Sequence, residues 1–478
     1  MAPKNTLNAQ SLEALGAARL AELLMEISSG DAAVKRRLRL ALAGARSPAD
    51  AAREIRKRLA AISRSSAFID WQKRRALVED LEMQRSAIVD HVGPADPKEA
   101  LDLMWSFTAL ATSVFARCDD SSGTIIGVFH QGAKDLARLA EAARCNAVEL
   151  ADRAYQALLA NDYGQYDRLI ARLSGSLGDA GLAHLKQRLI TLSNEPTKKL
   201  ADHERRKIGW SSSGPIYEDD IQNRHQASVI RFALSDIADA QGDVDAFIAQ
   251  YDARATKFPK IAAEISRRLT AAGRADEALQ IVEAAERGRA DRPEFEWEDA
   301  RIAALDALSR SEEAQSARWS CFERFLSERH LREHLKRLPD FDDIEVETRA
   351  LDIVESHANF QQALWFLASW PALDRAAKLV LQRSRDLDGD RYEILTPVAE
   401  ALAGKHPLAA TLALRAMIVF ALDQSRTSRY RHAARHLLEC AGLAANIADF
   451  GKHETHQAFV ARVRGKHGKK ASFWSNTA

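Results

Sequence analysis

Three side chains with metal-binding chemistry fall at i, i+4 and i+8 of one stretch: His432, His436 and Cys440. Imidazole and thiolate groups four residues apart share one face of a helix and can hold a zinc ion between them. Residues i and i+8 stand two turns apart, so all three do not converge on one ion from a straight helix. A fourth ligand would have to come from elsewhere, from His453 or His456. The spacing therefore favours packing or surface histidines over a closed metal centre, and no metal is expected. "HETHQ" (453–457) approaches the two-histidine metalloprotease helix, but Gln457 stands where the second histidine is needed. His330 and His334 form another i, i+4 pair, and the same reading applies.

Two acid-rich stretches invite a calcium reading. In "CDDSSG" (118–123), counting from Asp119 puts His130 at the twelfth loop position, where calcium needs a bidentate glutamate. The stretch reads instead as a turn: Asp120, Ser121 and Ser122 can cap a helix and Gly123 permits a positive φ. Cys118 has no histidine near it in sequence and reads as an inert thiol. In "DLDGD" (386–390), Arg391 occupies the glycine position and Pro397 the twelfth. No glycine-rich phosphate loop and no Gly-x-Ser-x-Gly elbow occurs. The residues name no catalytic group and no cofactor.

Charge is balanced overall and uneven locally. Lysine plus arginine total 68 against 67 for aspartate plus glutamate. Between Lys35 and Arg75, however, 13 basic residues face 3 acids. Arg36, Arg37, Arg56, Lys57, Arg58, Lys73, Arg74 and Arg75 can line a groove for phosphates. Near the end, Lys469 and Lys470 precede Phe473 and Trp474, a pattern suited to single strands through charge and stacking. The near-zero total charge argues against a polyelectrolyte binder.

The elements that must position these side chains read as helices throughout. Glycine (22) and proline (12) are scarce in 478 residues, and alanine, leucine and arginine recur. Asp31, Ser47-Pro48 and Asp96-Pro97 are helix-start signals. The apolar run 408–422 contains Arg415 and is too short to span a bilayer, so a buried helix is expected and no membrane partner. Four dispersed cysteines and an N-terminal stretch without an apolar core suit a reducing cytoplasm. From about Glu195 to Asn223 the apolar period lapses, which places an irregular linker there. It separates an N-terminal helical domain (1–194) from a repeat domain (224–478). In the latter, "AGRADEALQIVEAAE" (272–286) and "SRSEEAQSARWSCFERF" (309–325) align with Ala278 and Ala314 in matching places, 36 residues apart. Small alanines let helices approach, as in tetratricopeptide-type hairpins. The fold class expected is all-α, with a tetratricopeptide-like α-solenoid in the C-terminal half.

"CDDSSG" before an apolar helix, the repeat-like second half and the ending "YRHAARHLLECAGLA … HQAFVARVRGKHGKKASFW" resemble an uncharacterised all-helical bacterial family, a domain of unknown function. They resemble more distantly the helical region attached to SWIM zinc-finger proteins. The finger itself needs Cys-x-Cys followed by Cys-x-His, and no Cys-x-Cys occurs here, so it brings no metal or DNA role with it. The resemblance implies a helical fold and brings no reaction.

These readings lead to a cytoplasmic, non-catalytic interaction scaffold or adaptor that takes a protein or peptide partner. Arg205, Arg206, Trp210 and Tyr217, in the linker, are the partner-binding candidates. A nucleic-acid-associated protein using the basic N-terminal helices is the alternative, and a metal-dependent enzyme the second. Oligomeric state is not legible.

Overall fold

A computed structural model describes residues 7–195, 204–212, 214–286, 288 and 292–477. The chain is all-α. Its described strands are one antiparallel pair, Lys207–Ser211 with Gly214–Tyr217. Contacts divide the chain into two compact units, Met1–Asp252 and Ala253–Ala478.

In the first unit the start signals act as the residues dictate. The Asp31 carboxylate accepts from the Ala33 and Val34 amides, the Ser47 hydroxyl from the Asp50 amide at 3.1 Å, and the Asp96 carboxylate from the Glu99 amide at 3.0 Å. Each satisfies an amide that the helix ladder cannot reach. The helices Pro48–Ser63, Pro97–Thr108, Thr124–Ala143, Ala147–Leu159 and Leu169–Asn194 enclose one core that includes Ile55, Phe107, Phe129 and Leu185. Gly132 allows the close approach of two of them, since a Cβ there would meet the Phe107 ring at 3.0 Å. Asp135 is fully buried in this core, and its carboxylate holds Arg85 and Arg138.

The linker expected at 195–223 falls inside this unit. Residues 196–203 and 213 lie outside the described residues. The strand pair occupies the rest of the stretch and leads into the Glu218–Gln241 helix, whose Ile230, Ala233 and Ile237 enter the same core. That apolar stripe binds the helix to the first unit and moves the division to residue 252.

The second unit is a series of helical hairpins, each packed on its neighbours in sequence. Pro259–Ala271 pairs with Ala275–Glu283, Phe295–Ala307 with Ser311–Phe325, Phe360–Ser369 with Leu373–Gln382, and Tyr392–Leu402 with Pro407–Asp423. The chain turns the same way in the two best-matched repeats. Gly273 (φ 78°) and Ser309 (φ 58°) are left-handed, and the next amides, Arg274 and Arg310, return to the Leu269 and Leu305 carbonyls at 2.8 and 2.9 Å. This is the six-to-one bond of a Schellman stop. Ala278 and Ala314 then sit fully buried at equivalent places. Side chains tie hairpin to hairpin. Trp297 Nε1 donates to the Val282 carbonyl at 2.6 Å, and Gln362 Nε2 to that of Phe325 at 2.6 Å. The apolar run 408–422 is a buried helix, as its length implies. Among the described residues no helix is long and apolar enough to cross a membrane.

Candidate functional site

A cleft of about 500 Å³ opens in the second unit between the Tyr392–Leu402, Pro407–Asp423 and Tyr430–Ala444 helices. Its lining includes Tyr392, Thr396, Met417, Arg429, His432 and Arg435. Tyr392 is 53% exposed. Arg429 stacks over its ring at 4.7 Å while bonding Asp390 at 2.8 Å, which fixes the cation at the mouth. Beyond Thr396, Arg435 and His436 the depression continues into a second of about 330 Å³ that shares those residues. The result is an elongated groove between helices, with an apolar floor and edges that mix Arg429, His432 and Arg435 with Glu393, Glu400 and Glu439.

The partner-binding candidates of the first unit are brought together on the strand pair. Arg205 bonds Asp219 at 2.9 Å and Asp220 at 2.7 Å and lies 3.9 Å over the Tyr217 ring. Arg206 faces Glu218 at 3.6 Å. Lys207 covers one face of Trp210 at 3.5 Å, yet Trp210 remains 71% exposed. The two arginines are committed to the start of the next helix, where acids are favoured by its dipole; Trp210 is the group left outward.

The basic stretch is largely neutralised, by partners distant in sequence and by near neighbours. Arg58 pairs with the buried Asp80, Arg36 approaches it at 4.0 Å, and Arg56 holds Glu99. Arg75 bonds Glu79 at 2.8 Å, Lys73 approaches Asp70 at 3.3 Å, and Arg74 donates to the Asp119 carbonyl at 3.3 Å. Lys470 is drawn inward, donating to the Leu422 carbonyl, Ser425 Oγ and Tyr430 Oη, so it closes the end of a helix. Arg37, Lys57 and Lys469 are the exposed candidates of the set that hold no carboxylate among the described residues.

His432, His436 and Cys440 do share one helix, but not one ion. His432 is exposed, His436 Nδ1 is 3.1 Å from Glu439, and Cys440 is buried against the Thr411 carbonyl. Burial pushes the Cys440 thiol up to about 12, so it stays protonated near neutrality. His453 precedes the helix that Thr455 caps. Among the described residues no three His, Cys, Asp or Glu side chains converge on a metal position. In "CDDSSG", Asp120 accepts from the Ile125 and Ile126 amides at 3.0 and 2.8 Å and Gly123 has φ 68°. It is a helix start. In "DLDGD", Asp386 and Asp390 are taken by Arg383 and Arg429 at 2.8 Å each.

A polar cluster that the sequence does not disclose joins three helices of the second unit. Asp299 Oδ1 lies 3.1 Å from His330 Nε2, and His330 Nδ1 lies 2.7 Å from Ser327 Oγ and 3.5 Å from Cys321 Sγ. Burial works to raise the Asp299 pKa. The bonds from His330 and Arg329 outweigh it and hold the carboxyl below its ordinary value. The ionised carboxylate only accepts, so Nε2 carries a proton toward it, and Ser327 Oγ shares a hydrogen bond with Nδ1. Hydroxyl, imidazole and carboxylate in line are the parts of an activated nucleophile. Here Phe295 stacks on the imidazole at 5.9 Å and Arg329 takes both Asp299 oxygens at 2.6 Å. Burial pushes Cys321 up to about 12. The only sequence signal was His330 itself; its partners lie up to 31 residues away.

No curated protein matches the chain. Among solved structures it is similar to a circular tandem repeat protein with novel repeat topology and enhanced subunit contact surfaces. That similarity is 12% identity with a TM-score of 0.13, over 97% of this chain and 93% of that one. A family profile described as a family of unknown function (DUF6880) matches residues 2–476. The chain belongs to that family.

Proposed function

We propose that this protein is a cytoplasmic interaction scaffold whose second unit receives an extended segment of a protein partner. The elongated groove beside Tyr392 carries this reading. It lies between successive helices, its floor is apolar, and Arg429, His432 and Arg435 stand at its edges. An extended peptide buries alternate side chains in such a groove and leaves its backbone to the polar edges. Trp210, outward on the strand pair of the first unit, offers a second aromatic anchor of the kind enriched at binding hot spots. A non-catalytic role accords with the Asp299–His330–Ser327 cluster being packed among three helices, where it fastens them. Four free thiols suit a reducing compartment.

Crosslinked affinity capture from cells tests the reading, using the intact chain, Tyr392→Ser and Trp210→Ser. Both positions are exposed, so the variants fold. A partner retained by the intact chain and lost from Tyr392→Ser supports the groove. An identical set of retained proteins in all three removes the reading. The nucleic-acid alternative rests on Arg37, Lys57 and Lys469, and separates by salt, since phosphate contacts weaken steeply with ionic strength.

A further inference from the structure

The Pro407–Asp423 helix buries Arg415 to 5% exposure, and no carboxylate among the described residues forms an ion pair with it. Its Nη1 donates to the Glu454 carbonyl at 2.7 Å. Its Nε and Nη2 are buried and have no hydrogen-bond partner among the described residues. Those two N–H groups form one edge of the guanidinium, the edge that phosphates and carboxylates take bidentately. The Glu454 carboxylate is unavailable, since both its oxygens are engaged by Arg462. Phe459 and Phe450 flank the cation, their rings 4.6 and 5.8 Å from it, and supply no acceptor. Two more buried polar atoms near this side chain are also without partners. One is Thr411 Oγ1, a turn earlier on the helix; the other is Nδ1 of His456, whose pKa burial and then Arg415's charge hold below the ordinary value. Buried polar groups are ordinarily satisfied, so the orphaned edge of the Arg415 guanidinium marks a place for something not made of protein.

Arg415 lines a cleft of about 790 Å³. On its rim, Arg385 and Lys452 are exposed and hold no carboxylate among the described residues. The acids of the wall are committed. Asp423 is held by Lys466 at 2.9 Å and His467 at 2.7 Å, and Asp388 faces Arg391 at 3.9 Å. Three cations therefore hold no ion-pair partner among the described residues, although the Glu454 charge acts on Arg415 through space. Leu412, Val419 and Phe420 supply apolar wall beside them.

We propose that this cleft binds a phosphate group, with Arg415 Nε and Nη2 as its paired donors and Arg385 and Lys452 completing the charge. A carboxylate fits the same fork but neutralises one charge of three; a phosphate dianion neutralises two and offers more acceptor oxygens. The group can come as free phosphate or as the monoester of a small molecule, and the recognising chemistry is the same.

The test is calorimetric titration of the full chain at fixed ionic strength with inorganic phosphate, glycerol 3-phosphate and acetate. Saturable one-to-one binding of phosphate or its ester, tighter than acetate, is expected. The better of the two phosphates names the source. Arg415→Met removes both donors and lowers affinity about tenfold or more. Arg385→Ser with Lys452→Ser, both on the surface, lowers it about threefold or more through lost charge. Absence of saturable phosphate binding, acetate bound as tightly, or full affinity in Arg415→Met overturns the proposal. If circular dichroism shows Arg415→Met unfolded, the rim variant decides, and unchanged affinity there overturns it equally.

Discussion

Gly389→Ala is the perturbation whose outcome the packing fixes most sharply. The glycine of "DLDGD" presses on the Pro407–Asp423 helix. A Cβ there would lie 2.1 Å from the Ala416 carbonyl oxygen and 2.6 Å from Phe420 Cβ. Both obstacles belong to a buried helix, and neither is the end of a flexible side chain, so loop and helix must separate by roughly 0.9–1.4 Å to restore contact distances near 3.5 Å. Overpacking of this kind costs about 1–3 kcal/mol. In a unit of this size each kcal/mol lowers the melting temperature by roughly 2–4 °C, so a fall of about 2–12 °C is expected by calorimetry or circular dichroism. Gly404→Ala is the control: nothing lies within 4 Å of its Cβ, and its φ is not positive. It should leave the melting temperature within about 2 °C of wild type or raise it, since alanine restricts the unfolded chain. The same scan with and without millimolar calcium separates packing from ligation, and calcium should shift neither protein. A Gly389→Ala melting temperature equal to wild type, or a calcium-dependent rise in wild type, would refute the reasoning.

Asp135→Asn strips the charge that holds Arg85 in the core of the first unit and should cost about 3–5 kcal/mol, read by urea unfolding. Asp120→Ala removes the acceptor for two amides at the start of the Thr124–Ala143 helix and should cost about 0.5–2 kcal/mol, with no change in metal content by elemental analysis. At pH 8 a thiol reagent should modify Cys118 and Cys145 in the folded chain, and reach Cys321 and Cys440 only after unfolding. Both buried thiols titrate near 12 when folded, against about 8.5 when unfolded. Between those values the unfolded chain binds fewer protons, so their contribution to stability should be complete below about pH 8.5 and decline as pH rises toward 12. A fluorophosphonate should leave Ser327 unlabelled; stoichiometric labelling abolished by Ser327→Ala would establish a nucleophile there.

What the sequence disclosed and what it withheld divide along one physical line. Signals carried by neighbours in the chain were legible. Asp31, Ser47 and Asp96 cap helices, Gly123 turns, and Ala278 and Ala314 recur in register, because each effect acts within one or two turns. The strand pair was missed, although Ile208, Trp210 and Ile216 around Gly214-Pro215 carry a weak alternation; the polar serines hid it. Pairings across the fold were not legible. Arg58 looks like a free cation until Asp80, 22 residues on, is brought to it, and Lys470 looks like a phosphate contact until Leu422, Ser425 and Tyr430 enclose it. The same holds for Arg415, whose unpartnered Nε and Nη2 are a property of everything packed around them. The boundary at residue 252 depends on where Ile230 and Ile237 find apolar neighbours, which local period does not specify.

Site-specific photocrosslinking in cells tests the central claim, that the hairpin groove recognises another protein. A photoreactive phenylalanine replaces Tyr392 in one chain and Trp210 in another. The account predicts a discrete higher-mass adduct from Tyr392, reproducible and suppressed when His432→Glu and Arg435→Glu reverse the charge of the groove's edge. No adduct from either position, or an adduct indifferent to that reversal, would contradict it.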